Sequence, residues 1–213
     1  MNLIILGPQG AGKGTQAKLL AEKFNLEYFE TGKLLRETAK ENTDLGKHVA
    51  SRINRGFIVD ALTITKILRR GLEDIPKEKG VVFDGIPRDE SQIKAFEKAL
   101  KAYKRKITYA FFIWISRKET LKRLTKRRIC KKCNSFFILG KTLKPGVKKC
   151  PKCGGEIYQR EDDKSKVIEK RLEQYYQKTL PVIRYYYLKR KMIEINGEQS
   201  INKVFKDILA YIE

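Results

Sequence analysis

Short apolar runs and longer amphipathic stretches take turns along most of this chain. Residues 2–6, 26–29, 81–83, 109–115 and 192–195 are apolar runs bounded by turn or charged residues, as expected of short strands. Around them, apolar positions recur at helical spacing through residues 13–24, 32–40, 45–55, 61–72, 90–102, 118–126, 164–187 and 201–211. Strands alternating with helices predict an α/β fold in which a parallel sheet is covered on both faces.

Two segments interrupt the alternation. Residues 30–59 read as helices with no full strand between them. Residues 126–163 are rich in Gly, Pro, Lys and Cys, with only short β-like runs such as 135–139. Both read as insertions into a core made of residues 1–29, 60–125 and 164–213. The second is too long to be a structureless loop in a compact domain. With 213 residues and 41% hydrophobic content, one globular domain carrying insertions is the economical organisation.

Between the first strand and the first helix stands Gly7-Pro8-Gln9-Gly10-Ala11-Gly12-Lys13-Gly14-Thr15. Glycines at these spacings let backbone N–H groups wrap phosphate oxygens. The following helix N-terminus adds positive potential and Lys13 adds a mobile cation. Gly10, Ala11, Gly12, Lys13, Gly14 and Thr15 are thus candidate phosphate ligands. The general motif places Ser or Thr directly after the lysine as a magnesium ligand; here Gly14 holds that place and Thr15 follows. Asp84 ends the apolar run 81–83, a usual place for a carboxylate that reaches Mg²⁺ directly or through water, and also a place for a cap or turn aspartate.

All four cysteines form one pattern: Cys130 and Cys133, then Cys150 and Cys153, C-x2-C-x16-C-x2-C. Two such knuckles close a tetrahedral site on one soft metal ion, with zinc the first choice ahead of an iron–sulfur cluster or a pair of disulfides. Four thiolates complete the coordination, so the metal is expected to be structural. It would supply the core that so small an excursion lacks.

Lys and Arg number 47 against 25 Asp and Glu, a net charge of +22. Such a field attracts nucleotides and, less selectively, nucleic acid. It is more often simply the mark of a lysine-rich solvated surface. No apolar run approaches the ~20 residues of a membrane helix. The chain opens straight into its first strand, so no targeting peptide is expected and the cytoplasm is the expected compartment. The lone His48 reads as an ordinary helix residue. Tyr175, Tyr176 and residues 185–187 fall at helical spacing beside Leu172, Leu180 and Ile183, which argues for packing rather than base stacking.

Further along the chain stand Thr31-Gly32-Lys33-Leu34-Leu35-Arg36, Asp84-Gly85-Ile86-Pro87-Arg88 with Gln92, Arg123 with Arg127-Arg128, Gln159-Arg160-Glu161-Asp162-Asp163, Arg171 and Asn196-Gly197-Glu198. With the glycine-rich loop and the cysteines, in this order and spacing, they resemble the adenylate kinase family in its long-lid, zinc-bearing form, over essentially the whole chain. The resemblance implies a three-layer P-loop NTPase fold with a five-stranded parallel sheet, an AMP-binding helical insertion at 30–59 and a small β-rich lid carrying zinc at 126–163. It implies reversible, Mg²⁺-dependent phosphoryl transfer from ATP to AMP by a monomer, with no membrane or obligatory nucleic-acid partner.

By the same resemblance, Lys13, Arg88, Arg123, Arg127, Arg160 and Arg171 serve catalysis. The ATP side takes the loop, Arg123, Arg127, Phe136, Phe137 and Gln199. The AMP side takes Thr31, Gly32, Arg36, Phe57, Ile58, Val59, Gly85, Arg88, Gln92, Arg160 and Arg171. Phe136 and Phe137 fit packing within a zinc domain equally well. Lys33 departs from the family, which commonly carries aspartate there, and is left out of the metal set. Arginine suits phosphates because its planar fork stays charged and binds two oxygens at once. A basic zinc-ribbon protein that binds nucleic acid, or a kinase for another monophosphate, are the competing readings.

Overall fold

The structure is a computed structural model that describes residues 1–213, the side chain of Glu161 excepted. Glu161 is one of the residues carrying the resemblance above, and its side chain lies outside those described. In chain order the elements are β1 (Asn2–Leu6), α1 (Lys13–Lys23), β2 (Glu27–Glu30), α2 (Thr31–Thr38), α3 (Asp44–Asn54), α4 (Ala61–Leu72), β3 (Val81–Asp84), α5 (Glu90–Ala102), β4 (Tyr109–Trp114) and α6 (Arg117–Thr125). There follow β5 (Arg127–Cys130), β6 (Phe136–Ile138), β7 (Ile157–Tyr158), α7 (Ser165–Gln174), α8 (Leu180–Leu188), β8 (Met192–Asn196) and α9 (Ile201–Leu209).

The main sheet has five parallel strands in the order β2-β3-β1-β4-β8. At its centre Leu3, Ile4, Ile5 and Leu6 are at most 1% exposed, because a central parallel strand is covered on both faces. Alternate side chains feed two cores. Leu3 and Ile5 pack with Ala17 and Leu20 of α1 and Val204 and Ile208 of α9. Ile4, Leu6 and Phe83 pack with Ile64 and Leu68 of α4, Phe96 of α5 and Val182 of α8. The result is the expected three layers. A second, antiparallel sheet of order β6-β5-β7 carries the cysteines.

Helix starts follow capping chemistry. Thr43, Asp60, Asp89, Ser116 and Ser200 each accept a hydrogen bond from the backbone N–H three residues on, satisfying a donor that the helix cannot.

The segment 164–187, expected as one helix, is broken. A π-helical turn, Tyr175–Thr179, separates α7 from α8. Pro181 sits in the first turn of α8 and has no N–H to donate, and the Leu180 N–H reaches back to the Tyr175 carbonyl. Strands β5 and β7 were not expected. Arg-Arg-Ile-Cys has no alternation and β7 is two residues long, so both depend on cross-strand pairing rather than on local preference.

Between α5 and β4, Arg105 is 4% exposed and ties down the 75–79 turn. Its Nη1 donates to the Lys79 carbonyl at 2.5 Å, and its Nη2 to the Pro76 and Ile75 carbonyls at 2.7 and 3.1 Å. Removing the buried guanidinium takes away a charged donor shared by several carbonyls and empties the space it fills. Arg105→Ala should therefore lower unfolding stability by about 2–3 kcal/mol in urea denaturation, with Arg105→Lys recovering little of it because an ammonium lacks the fork.

Candidate active site

At the C-terminal ends of β1, β2 and β3 the chain opens a cleft of ≈ 1100 Å³. Its floor is the glycine-rich loop. Gly12 caps α1 in the left-handed conformation (φ 90°) with no side-chain cap, so the first N–H groups of α1 are left for an anion. Gly14 is explained by crowding: a Cβ there would stand 3.0 Å from the Tyr28 hydroxyl and 3.2 Å from Asp84 Oδ2. The departure from the usual Ser or Thr thus belongs with Tyr28, whose hydroxyl donates to Asp84 Oδ2 at 3.1 Å.

Lys13 donates to the Pro8 carbonyl at 2.8 Å. Burial, reinforced by repulsion from Arg88, Arg171 and Arg127, brings its ammonium down to about 8 against the attraction of Asp84. Burial likewise pushes the Asp84 carboxyl up, opposed by Lys13. Asp84 is the register partner of Glu30 on the neighbouring strand, which places two carboxylates side by side at one edge of the cleft.

Of the residues singled out in sequence, Gly10, Gly12, Lys13, Gly14, Thr15, Asp84, Gly85 and Gln199 line the cleft, as do Gly32, Arg36, Phe57 and Ile58 from the first excursion. Phe136 and Phe137 border it from the second. Phe136 is exposed, and Lys18 of α1 stands 5.6 Å from its ring centroid. Phe137 packs its ring with Cys130, Leu143 and Cys150. The pair therefore divides the two roles considered for it. Ala11, Thr31, Val59 and Gln92 are buried behind the cleft wall. Gln92 has both ends of its amide engaged, accepting from the Arg88 N–H at 2.8 Å and donating to the Val59 carbonyl at 2.7 Å. Lys33 is an exposed residue of α2 whose nearest carboxylate is Glu37, at 3.8 Å. His48 hydrogen-bonds Asp60 at 2.8 Å, away from the cleft.

Arg36, Arg88, Arg123, Arg127, Arg160 and Arg171 all reach this one space. Most are held by acids. Arg127 binds both oxygens of Asp163 at 2.7 and 2.5 Å. Arg160 binds Asp162 through two nitrogens, and Arg171 Nη1 lies 3.0 Å from Asp162 Oδ2 and 2.9 Å from its carbonyl. Arg36 pairs with Glu30 at 2.9 Å, and Arg123 with Glu119 at 2.8 Å. Burial tends to raise the Asp162 carboxyl, but Arg171 and Arg160 together hold it well below the usual carboxylate range. Burial brings Arg171 down to about 10.

Arg88 differs: among the described residues it forms no ion pair, its Nε donating to the Gly85 carbonyl at 2.7 Å. Its own carbonyl accepts from Thr179 Oγ1 at 2.8 Å, so the π turn helps to fix it. Sequence reasoning missed the positioning acids Asp162 and Asp163, although they adjoin Arg160 in the motif. It also missed Tyr28, Glu30 and Lys18, for which the sequence carries no signal beyond their place near the first βα unit.

Comparison with known proteins agrees with this geometry. The family model described as adenylate kinase matches residues 5–191. The adenylate kinase of Archaeoglobus fulgidus is 38% identical over 213 residues, covering 100% of this chain and 98% of its own length. That of Thermosipho africanus is 38% identical, with 100% and 99% covered. That of Bacillus cytotoxicus is 40% identical over 208 residues, with 98% and 96% covered.

This chain belongs to the adenylate kinase family. It is an enzyme of phosphoryl transfer between adenine nucleotides. Among its described residues no helix is long and apolar enough to cross a membrane.

In this adenylate kinase the four cysteine sulfurs lie within 4.8 Å of one another. Cys130 and Cys153 Sγ are 3.5 Å apart, and Cys133 and Cys150 Sγ 3.6 Å. A tetrahedral ion with sulfur at about 2.3 Å sets sulfurs about 3.8 Å apart, whereas a disulfide needs about 2.0 Å. Gly155 closes the cradle, since a Cβ there would sit 2.9 Å from Cys130 Sγ. The site fits structural zinc. Asp84, with Glu30 as its register partner, lines the same cleft and offers carboxylate oxygen, the donor type that Mg²⁺ takes.

Purified protein should carry one equivalent of zinc by elemental analysis. Cys150→Ser should lose it and unfold the cysteine-bearing excursion at lower temperature, before phosphoryl transfer disappears. Unchanged metal content and melting point in that variant would sink the assignment.

Proposed function

We propose that the cleft catalyses reversible, Mg²⁺-dependent transfer of the γ-phosphoryl group of ATP to AMP, giving two ADP, and so balances the adenine nucleotides of the cytoplasm. The observation that carries this reading is the convergence of Lys13 and six arginines on one space floored by a phosphate-binding loop. Two polyanions brought together repel, and the charge of the transition state is spread over equatorial oxygens. Catalysis is then positioning and charge stabilisation, and no general base is required.

In this scheme the loop amides from Gly10 to Thr15 and Lys13 take the ATP phosphates, with Arg123, Arg127, Phe136, Phe137 and Gln199 completing that side. Arg36 and Arg88 grip the AMP phosphate, while Thr31, Gly32, Phe57, Ile58, Val59, Gly85 and Gln92 shape its pocket. Gln92 acts from behind the wall by fixing Arg88 and Val59. Arg160 and Arg171 face both substrates. Asp84 would hold Mg²⁺ through its water shell with Glu30 beside it, and the ion when bound neutralises phosphate charge.

Residues 1–29, 60–125 and 164–213 act as the core, 30–59 as the AMP-side excursion and 126–163 as a lid. The lid and the excursion close over both substrates to exclude water, the competing acceptor. Contacts that support closure already cross the cleft: Lys18 meets the ring of Phe136, and Lys170 of α7 stands 5.6 Å from the ring of Phe57. The enzyme works as a monomer on free nucleotides.

Phosphorus NMR of protein with MgATP and, separately, AMP, GMP, CMP, UMP or water tests the reading. ADP should grow from both nucleotides only with AMP. Phosphate release in water with no AMP effect would overturn it. Arg88→Ala should keep its melting point and lose at least about a hundredfold in kcat/KM.

A pH profile adds an independent check. In the free enzyme Lys13 is charged below about 8 and neutral above it. Thus kcat/KM for ATP should fall as pH rises through about 8. At saturating ATP, kcat should hold to higher pH, because bound phosphates draw the ammonium back up. A flat kcat/KM from pH 7 to about 9.5 would show that Lys13 keeps its proton in the free enzyme across that range.

A further inference from the structure

A second cavity, of ≈ 480 Å³, lies at the opposite edge of the main sheet, where the chain runs from α5 into β4 and from α8 into β8. Lys101, Lys104, Lys106, Lys189 and Lys191 line it, all of them exposed. Glu97 is the acid on its wall, and it already accepts from the Tyr185 hydroxyl at 2.7 Å and from Lys189 at 3.3 Å. Lys101, Lys104 and Lys106 form no ion pair among the described residues, and Lys191 reaches the Ile107 carbonyl at 3.4 Å. The cavity therefore presents several positive charges with little to offset them.

Its inner wall supplies the second observation. The Tyr186 hydroxyl and Arg105 Nε are buried there with no hydrogen-bond partner, on residues only 2% and 4% exposed. Both terminal nitrogens of Arg105 are committed to the 75–79 turn, so its Nε–H is the donor left over. Buried polar groups in folded proteins almost always have partners, and orphans mark places where water or an ion completes the structure. Here the orphans are a hydroxyl and a cationic N–H on residues that share the lining with five lysines, a set that fits an anion with several oxygens.

We propose that this cavity binds a small phosphate-bearing anion, held by Tyr186 and Arg105 inside and by the lysines outside. Its volume exceeds that of one phosphate and falls in the range of small-molecule sites, which leaves room for a second phosphate or a nucleoside. The site is distinct from the active cleft, which lies at the other ends of the strands, and does not depend on the reaction assigned there.

Amide-resolved NMR titration of the full-length protein at fixed ionic strength tests it, with inorganic phosphate, pyrophosphate and ADP as separate probes. The expected result is saturable shifts in residues 103–107 and 186–191 with at least one probe. Tyr186→Phe should weaken that binding about tenfold, the worth of one hydrogen bond to a charged group. Loop amides 10–15 should respond as before, and phosphoryl transfer should be unaltered. Lys104→Gln with Lys106→Gln, both on the surface, should weaken it further.

Tighter saturation by ADP than by pyrophosphate identifies a nucleotide as the ligand; the reverse order identifies an inorganic phosphate. Shifts that fail to saturate, that potassium chloride reproduces, or that Tyr186→Phe leaves unchanged overturn the proposal. So does saturation of the same amides by a short duplex RNA when none of the three probes binds.

Discussion

Crowding six arginines and a lysine into one largely buried space is unfavourable, because like charges repel and each loses its water. The arrangement holds because Asp162 and Asp163, adjacent in sequence, bind three of the guanidiniums between them. The Asp162 carboxylate is in turn kept ionised by Arg171 and Arg160. The cluster is thus close to neutral where it is deepest and positive where it meets the cleft, with Arg88 left unpaired. In the proposed reaction, substrate phosphates would meet groups that are already oriented, so little reorganisation would accompany binding. The main sheet, the π turn and the second excursion all contribute residues to this one electrostatic balance.

Much of this was legible in sequence where one physical rule dominated. Residues 2–6 could hardly be other than a central strand, and Gly7 to Thr15, which reads as a phosphate cradle between strand and helix, lies at the floor of the cleft. The C-x2-C-x16-C-x2-C spacing located the cysteine cluster before any coordinates. Legibility ended where long-range partners decide local form. Arg127–Cys130 is a strand because Phe136–Ile138 and Ile157–Tyr158 pair with it, and neither neighbour is visible from four residues of sequence. Tyr28 and Asp84 meet through strand pairing across more than fifty positions. The acids that hold the arginines stood in plain view at 162 and 163, but their role is a matter of geometry.

The two excursions are stabilised by different means. Helices α2 and α3 rest their apolar faces, through Leu35 and Val49, on the main core. The second excursion has a core of its own in Phe137, Leu143, Cys130 and Cys150, with Leu139, Cys153 and Ile157 against it. That is too little apolar surface to order forty residues without help. A metal cross-link would let the segment be rigid in itself while touching the rest of the protein through few contacts, a property that suits the closing part proposed for it.

The π turn at Tyr175–Thr179 also sets a phase. Each α-helical residue advances the helix face by about 100°, so a single extra residue rotates everything after it. In α7, Ile168 and Leu172 face Leu124 of α6, whereas in α8, Val182, Ile183 and Tyr186 face the main core. One straight helix would have to choose between these directions. The turn absorbs the mismatch: a chain one residue shorter here would keep its helix and turn its tyrosines toward the wrong neighbours.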